Sequence, residues 1–237
     1  MEMNEKIEKM KVFLPNEDID SRIRKLIRSF RKQMDGEVSE QMDKRGVHYR
    51  LNFGVSLVAL REKAKSLPRD VEFADRLWHR GIRETMILAT LIVHEEKMTI
   101  EMSQEWAALI DNCELVEQAS LNVFGKMSCA DELVGQWLKE DDAYKRALAY
   151  YTLGWMARFV GVSDELRQRG LSRVKSETGN DDVFCLYRGM THFVRQLLRI
   201  DDDAKKECED VIHKFEVEKN KNLLWVAEEL KNEMEFM

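Results

Sequence analysis

The sequence predicts an all-α chain built from many amphipathic helices, and three observations carry that prediction. Apolar residues recur at helical spacing along almost the whole length. Only two prolines, Pro15 and Pro68, and eleven glycines are available for turns. No segment alternates polar and apolar residues as a half-buried strand does. A β-rich fold of 237 residues would need more turn-forming residues than this.

Taken in order, Ile23, Leu26, Ile27 and Phe30 mark one face of a first helix, and Arg24, Lys25, Arg28 and Lys32 mark the other. Over Val55–Leu67, Leu57, Leu60 and Ala64 share a side. Pro68 ends that helix, because proline disfavours helix in the residue before it. Met98 and Met102, at helical spacing, read as core filling. Helical patterns follow over Phe73–Trp78, Arg83–Val93, Cys113–Phe124, Ala130–Trp137, Tyr144–Val160, Asp164–Val174, Val183–Leu198, Ala204–Phe215 and Asn222–Phe236. Breaks are expected at Gly81, Gly125, Gly161 and Ser176–Asp181. Asp201, Asp202 and Asp203 read as the first turn of a helix, where carboxylates suit the dipole.

Many helices with short links predict antiparallel hairpins stacked side by side in one domain spanning residues 1–237, with acidic helices over 201–237. Leu77–Val93, Trp137–Met156 and Val183–Leu198 are weakly alike. Each has a basic residue near the start of an apolar helix: Arg83, Arg146 and Arg188. Their irregular spacing fits a degenerate HEAT-type array, and an irregular helical bundle would give the same local pattern.

The net charge of −6 argues against a strong phosphate binder, but the charge is unevenly placed. Residues 201–237 hold twelve acidic and six basic side chains, whereas residues 22–50 hold nine basic and four acidic ones. Cys113, Cys129, Cys185 and Cys208 lie far apart and form no zinc-ligand pattern, so a reduced, cytoplasmic protein is expected. The first residues lack the apolar stretch of a signal peptide, and no run approaches a membrane span. Phosphate-binding glycine loops, HExxH and nucleophile elbows do not occur, so neither a cofactor nor a metal is expected. His79 and His94, beside charged neighbours, are expected on the surface.

The informative stretches are short and ordered. Phe53-Gly54-Val55 through Leu60-Arg61 resembles the glycine-bearing turn and following helix of AlkD-like alkylpurine DNA glycosylases. Phe73-Ala74, Leu77-Trp78, Glu84 and Leu88-Ala89 resemble that family's LW pair, glutamate and LA pair. Val116 through Phe124-Gly125 is similar to the helix that bears its catalytic carboxylate. Lys145-Arg146-Ala147 and Arg188 through Arg195 match two later basic helices. The resemblance spans residues 45–200.

It implies a C-shaped array of HEAT-like repeats, a curved α-α superhelix with a basic concave face for duplex DNA. In the family, cationic purines alkylated at N3 or N7 are removed without a deep base pocket. An aspartate faces the sugar–base bond, two tryptophans line the cleft, and an arginine grips the backbone. Here the carboxylate position carries Glu117, the tryptophan positions carry Cys113 and His192, and the arginine is Arg146. Trp106 lies five residues before Asp111, outside the family's four-residue spacing. Trp106 therefore reads as packing and Asp111 as a helix N-cap.

These positions set the expected site: Glu117 as the catalytic carboxylate, and Arg146, Arg188, Arg195, His192 and Cys113 against DNA. A tryptophan face attracts a cation by ~0.5–2 kcal/mol, which neither Cys nor a protonated His replaces. Glu117 also reads as an ordinary solvated glutamate on a helix face. Three functions follow: an alkylpurine DNA glycosylase, a catalytically silent DNA-binding relative, or a protein-binding HEAT scaffold. The partner expected is duplex DNA, held through its phosphates by a monomer.

Overall fold

The computed structural model describes residues 8–199 and 204–236. Among the described residues, regular structure consists of thirteen α-helices and two 3₁₀ turns, and the β feature is an isolated bridge between Leu51 and Ile82. The chain divides into two compact units, Met1–Val123 and Phe124–Met237.

In the first unit, α1 (Glu17–Lys32) starts at Asn16, whose side-chain oxygen accepts the Ile19 N–H at 3.2 Å. Glu17, Asp18 and Asp20 occupy its first turn and Arg31 and Lys32 its last, each sign where the helix dipole favours it. It buries Ile19, Ile23, Leu26 and Phe30. Next come α2 (Gly36–Lys44), α3 (Leu57–Lys65), α4 (Val71–Trp78) and α5 (Arg83–Ile92). Asp35, Ser56 and Asp70 cap the first three of these through their side chains. α5 buries every residue but Leu91.

Two further helices, α6 (Ile100–Ala107) and α7 (Cys113–Asn122), complete the unit. The cap expected at Asp111 falls instead on Asn112, which accepts the Leu115 N–H at 3.1 Å. α5 packs on α3, α4 and α7. Trp78 of α4 and Trp106 of α6 stack with centroids 4.5 Å apart and planes 4° apart. Trp106 donates its indole N–H to Asp75 at 2.8 Å, so it is a packing residue as expected.

The second unit opens with the 3₁₀ turn Phe124–Lys126. It continues through α8 (Ala130–Trp137), α9 (Ala143–Phe159), α10 (Asp164–Ser176), α11 (Phe184–Leu198), α12 (Ala204–Glu218) and α13 (Lys221–Glu235). α9 packs on α8, α10 and α11; α11 also packs on α12 and α13; α10 also packs on α8 and α12. Alternate helices are therefore neighbours, α8, α10 and α12 in one layer and α9, α11 and α13 in the other. This is how stacked hairpins bury their apolar faces. Tyr150, Tyr187, Phe193 and Phe215 fill the space between the layers. Each such ring contributes about 1.5–3 kcal/mol by leaving water. The expected helix start at Asp201–Asp203 lies outside the described residues. No helix among the described residues is long and apolar enough to cross a membrane.

Candidate nucleic-acid interface

Glu84 is fully buried on α5, and its carboxylate accepts the backbone N–H groups of Phe53 and Val55 at 3.1–3.2 Å. These bonds close the turn that Gly54 makes at φ +73°, where an added Cβ would lie 2.1 Å from the Asp35 carbonyl oxygen. Arg83 binds Glu84 at 3.3 Å and forks onto Glu114 of α7 at 2.7 and 2.8 Å. The Phe-Gly-Val turn and Glu84, noted in the sequence at separate places, are thus one structural node.

Arg146 has an analogous place in the second unit. It stands in the first turn of α9 and is 4% exposed. Four of its five N–H groups are used: by Glu177 at 3.0 Å, Asp181 at 2.7 Å, and the carbonyls of Glu140 at 3.2 Å and Asp141 at 2.5 Å. Burial disfavours its charge, but Glu177 and Asp181 more than offset this and raise its pKa. Tyr150 also donates to Glu177 at 2.9 Å. Both Arg83 and Arg146 reach a glutamate 31 residues ahead, Glu114 and Glu177. That shared reach unites two of the three weakly similar segments; Arg188, in the third, is exposed.

In the first unit, Glu117 and Cys113 lie one turn apart on α7, both half-buried, with Sγ 3.6 Å from a Glu117 oxygen. The spacing placed them on one face, and the structure brings them into contact. In the second unit, Arg188 is exposed on α11. Arg195, one turn before the end of that helix, binds Glu229 of α13 at 2.6 Å and lies 3.4 Å from Glu233.

His192 of α11 lies against α9, where its ring contacts Tyr151 at 5.1 Å and Trp155 at 4.7 Å between centroids. Gly154 makes room for it: a Cβ there would be 2.5 Å from His192 Cδ2. Burial, aided by the charges of Arg199 and Arg195, pushes the imidazole pKa down to about 4, so the ring is neutral at pH 7. Arg146 and Gly154 are about 12 Å apart along the axis of α9, so Arg146 and His192 belong to different parts of that helix. Trp155, which completes the aromatic contact, was not singled out in the sequence. Its signal is there, since Tyr151, Trp155 and Phe159 recur every four residues.

The exposed face of α1 is cationic. Arg24, Lys25, Arg28, Arg31 and Lys32 are all exposed, and among the described residues none has an ion-pair partner. At 3.6 residues per turn they occupy about a third of the helix circumference, opposite the buried stripe. Arg22 is engaged differently, with Asp18 at 3.9 Å and its guanidinium 4.5 Å from the Phe73 ring centre.

One group of side chains has the composition of a metal site: Asp75, His79 and Glu105, with ligand atoms within 4.8 Å of one another. An ammonium group takes the place of a cation there. Lys11 Nζ is 2.9 Å from Glu105 and 3.4 Å from Asp75. Its backbone N–H donates to His79 Nδ1 at 3.0 Å. His79 is therefore buried, not on the surface as expected, because the segment at Lys11 covers it.

Comparison with known proteins agrees with this architecture. A family model described as DNA alkylation repair enzyme matches residues 26–206. No curated protein matches the chain. A solved structure described as "A new family of proteins related to the HEAT-like repeat DNA glycosylases with affinity for branched DNA structures" is similar, with a TM-score of 0.72 and 15% identity. That similarity covers 90% of this chain and 94% of the other. The fold is the all-α, HEAT-like one that the sequence leads us to expect.

Proposed function

Because the chain belongs to the DNA alkylation repair enzyme family, we propose that it binds DNA through the phosphate backbone, without sequence preference, and that its excision of cationic purines is slow or absent. The observation that carries the binding is the face of α1, where five exposed cations have no ion-pair partner among the described residues. Such a row exchanges counterions for phosphates and makes few demands on sequence. Arg188 and Arg195 are further phosphate contacts in this reading. Arg146, whose guanidinium is already occupied, serves by holding the Glu177–Asp181 segment in place. The affinity for branched DNA of the structurally similar protein makes junctions the ligand to set beside plain duplex. None of the four cysteines is in a disulfide, which fits a reducing compartment, and we place the protein in the cytoplasm as a monomer.

Slow or absent excision follows from the surroundings of Glu117. A carboxylate stabilises a developing positive charge best in a dry, preorganised cleft. Here Glu117 is half-buried beside a thiol, where the resembled family has an indole face. Water screens its field correspondingly.

The test is the binding of a labelled duplex and a labelled four-way junction by the wild-type chain and by a variant carrying Arg24→Glu, Lys25→Glu and Arg28→Glu. The wild type is expected to bind both at low salt. The variant, with its fold intact by circular dichroism, is expected to lose most of that affinity. Equal binding by the two, or no binding by the wild type, overturns the reading and favours a protein-binding scaffold.

A further inference from the structure

Three residues of α9 and one of α11 form a continuous row of rings in the second unit, exposed at its Trp155–Phe159 end. Tyr151, Trp155 and Phe159 stand one turn apart on one helix face, and the His192 ring meets the first two. The Trp155 and Phe159 planes are 12° from parallel, with centroids 5.5 Å apart. Phe159 is 43% exposed and Trp155 half-buried, whereas Trp78, Trp106 and Trp137 are all buried. Below this surface the packing is fixed. Tyr151 is buried, and the neutral His192 ring fits against Gly154 without space to shift toward it.

One cation lies over the exposed Phe159 ring, on a flexible stem that lets it swing aside, and another stands beside Trp155. Lys126 Nζ lies 5.4 Å from the Phe159 ring centre. Arg158 is exposed three residues after Trp155, so it stands on the same helix face, and among the described residues it has no ion-pair partner. Flat π-faces with positive charge beside them complement a nucleobase, which offers a face to stack and a phosphate on either side. A base paired within a duplex has both faces covered by its neighbours. The ligand that fits is an unpaired base, as found at a gap, a flap or an imperfect junction.

We propose that Trp155 and Phe159 are a stacking platform for an unpaired base of non-duplex DNA, with Lys126 and Arg158 holding the adjoining phosphates. This rests on the reading that the protein binds DNA, and it can fail separately. The experiment measures binding of the full chain to a fully paired duplex, to the same duplex with a short gap of unpaired thymidines, and to an oligothymidine, together with tryptophan emission. Trp155→Ala is expected to weaken gapped-duplex and oligothymidine binding by about tenfold, and to leave the paired duplex within about twofold. Phe159→Ala, at an exposed position, is expected to act in the same direction. Trp155→Phe is expected to restore binding but to lose the quenching of emission that oligothymidine causes in the wild type. If the wild type binds no DNA, the DNA reading itself fails. If the wild type binds DNA and neither alanine substitution weakens gapped-duplex binding more than paired-duplex binding, the platform is overturned while DNA binding stands. Should Trp155→Ala fail to fold, Phe159→Ala and the quenching of Trp155→Phe decide the matter by the same criteria.

Discussion

Arg146 and His192 each have a consequence that can be measured on a single residue. Removing Arg146, as in Arg146→Met, takes from the buried Glu177 its nearest cation and leaves two backbone carbonyls without their donor. Breaking a buried pair from one side costs about 3–5 kcal/mol. Urea unfolding should therefore show a lowered midpoint, whereas a surface phosphate contact would leave stability unchanged. His192 gives a pH signature. Its folded pKa is depressed to about 4 from an ordinary 6.5, so between these values the unfolded chain binds a proton that the folded one does not. Its contribution is fully present above pH 6.5 and is lost as pH falls towards 4. The wild-type stability curve should slope through this range, and His192→Gln should flatten it; parallel curves would show that the ring is solvated.

At this scale the sequence was legible where spacing suffices. Cys113 and Glu117, four residues apart, share a face and touch. It was illegible where a partner distant in sequence decides the outcome. Nothing near His79 indicates that Lys11 covers it, and nothing near Arg146 shows that Glu177 and Asp181 surround it.

Elements were legible in proportion to their buried area. α9 and α11 have long apolar stripes and lie close to where periodicity puts them. α2 buries no residue and so has no apolar stripe to reveal it. α6 is only eight residues long, and its helical start depends on the Thr99 cap more than on an apolar period. α1 illustrates the converse: its core stripe fixes which side is exposed, and the basic residues on the other side follow from the sequence alone. Replacing Arg24, Lys25 and Arg28 by Ala should reduce the slope of log affinity against log salt by nearly one per lost duplex contact. Stability should be unchanged, since all three side chains are exposed. A salt slope equal to that of the wild type would move the phosphate contacts elsewhere.

On the scale of the whole molecule, helical periodicity and short links run through both units, and in the second they give two layers of alternating helices. The degenerate repeat appears in the equal reach of Arg83 and Arg146 to glutamates 31 residues ahead. From local pattern alone, an irregular bundle and a repeat array read alike, because the distinction lies in which helices are neighbours. Function follows the same division. Charge on α1 and rings on α9 can be read from sequence once helix faces are assigned, whereas chemistry at Glu117 depends on whether water reaches it.

The most direct test of the central claim, DNA binding with slow or absent excision, is base release from methylated duplex DNA in a single turnover, with the protein in excess over its DNA and binding followed in the same sample. Bound DNA is expected, with little or no release of 3-methyladenine or 7-methylguanine above the protein-free rate, and no residual release in Glu117→Gln. Rapid release of either base by the wild type would contradict that claim, and rapid release that persists in Glu117→Gln would also remove Glu117 from the active site.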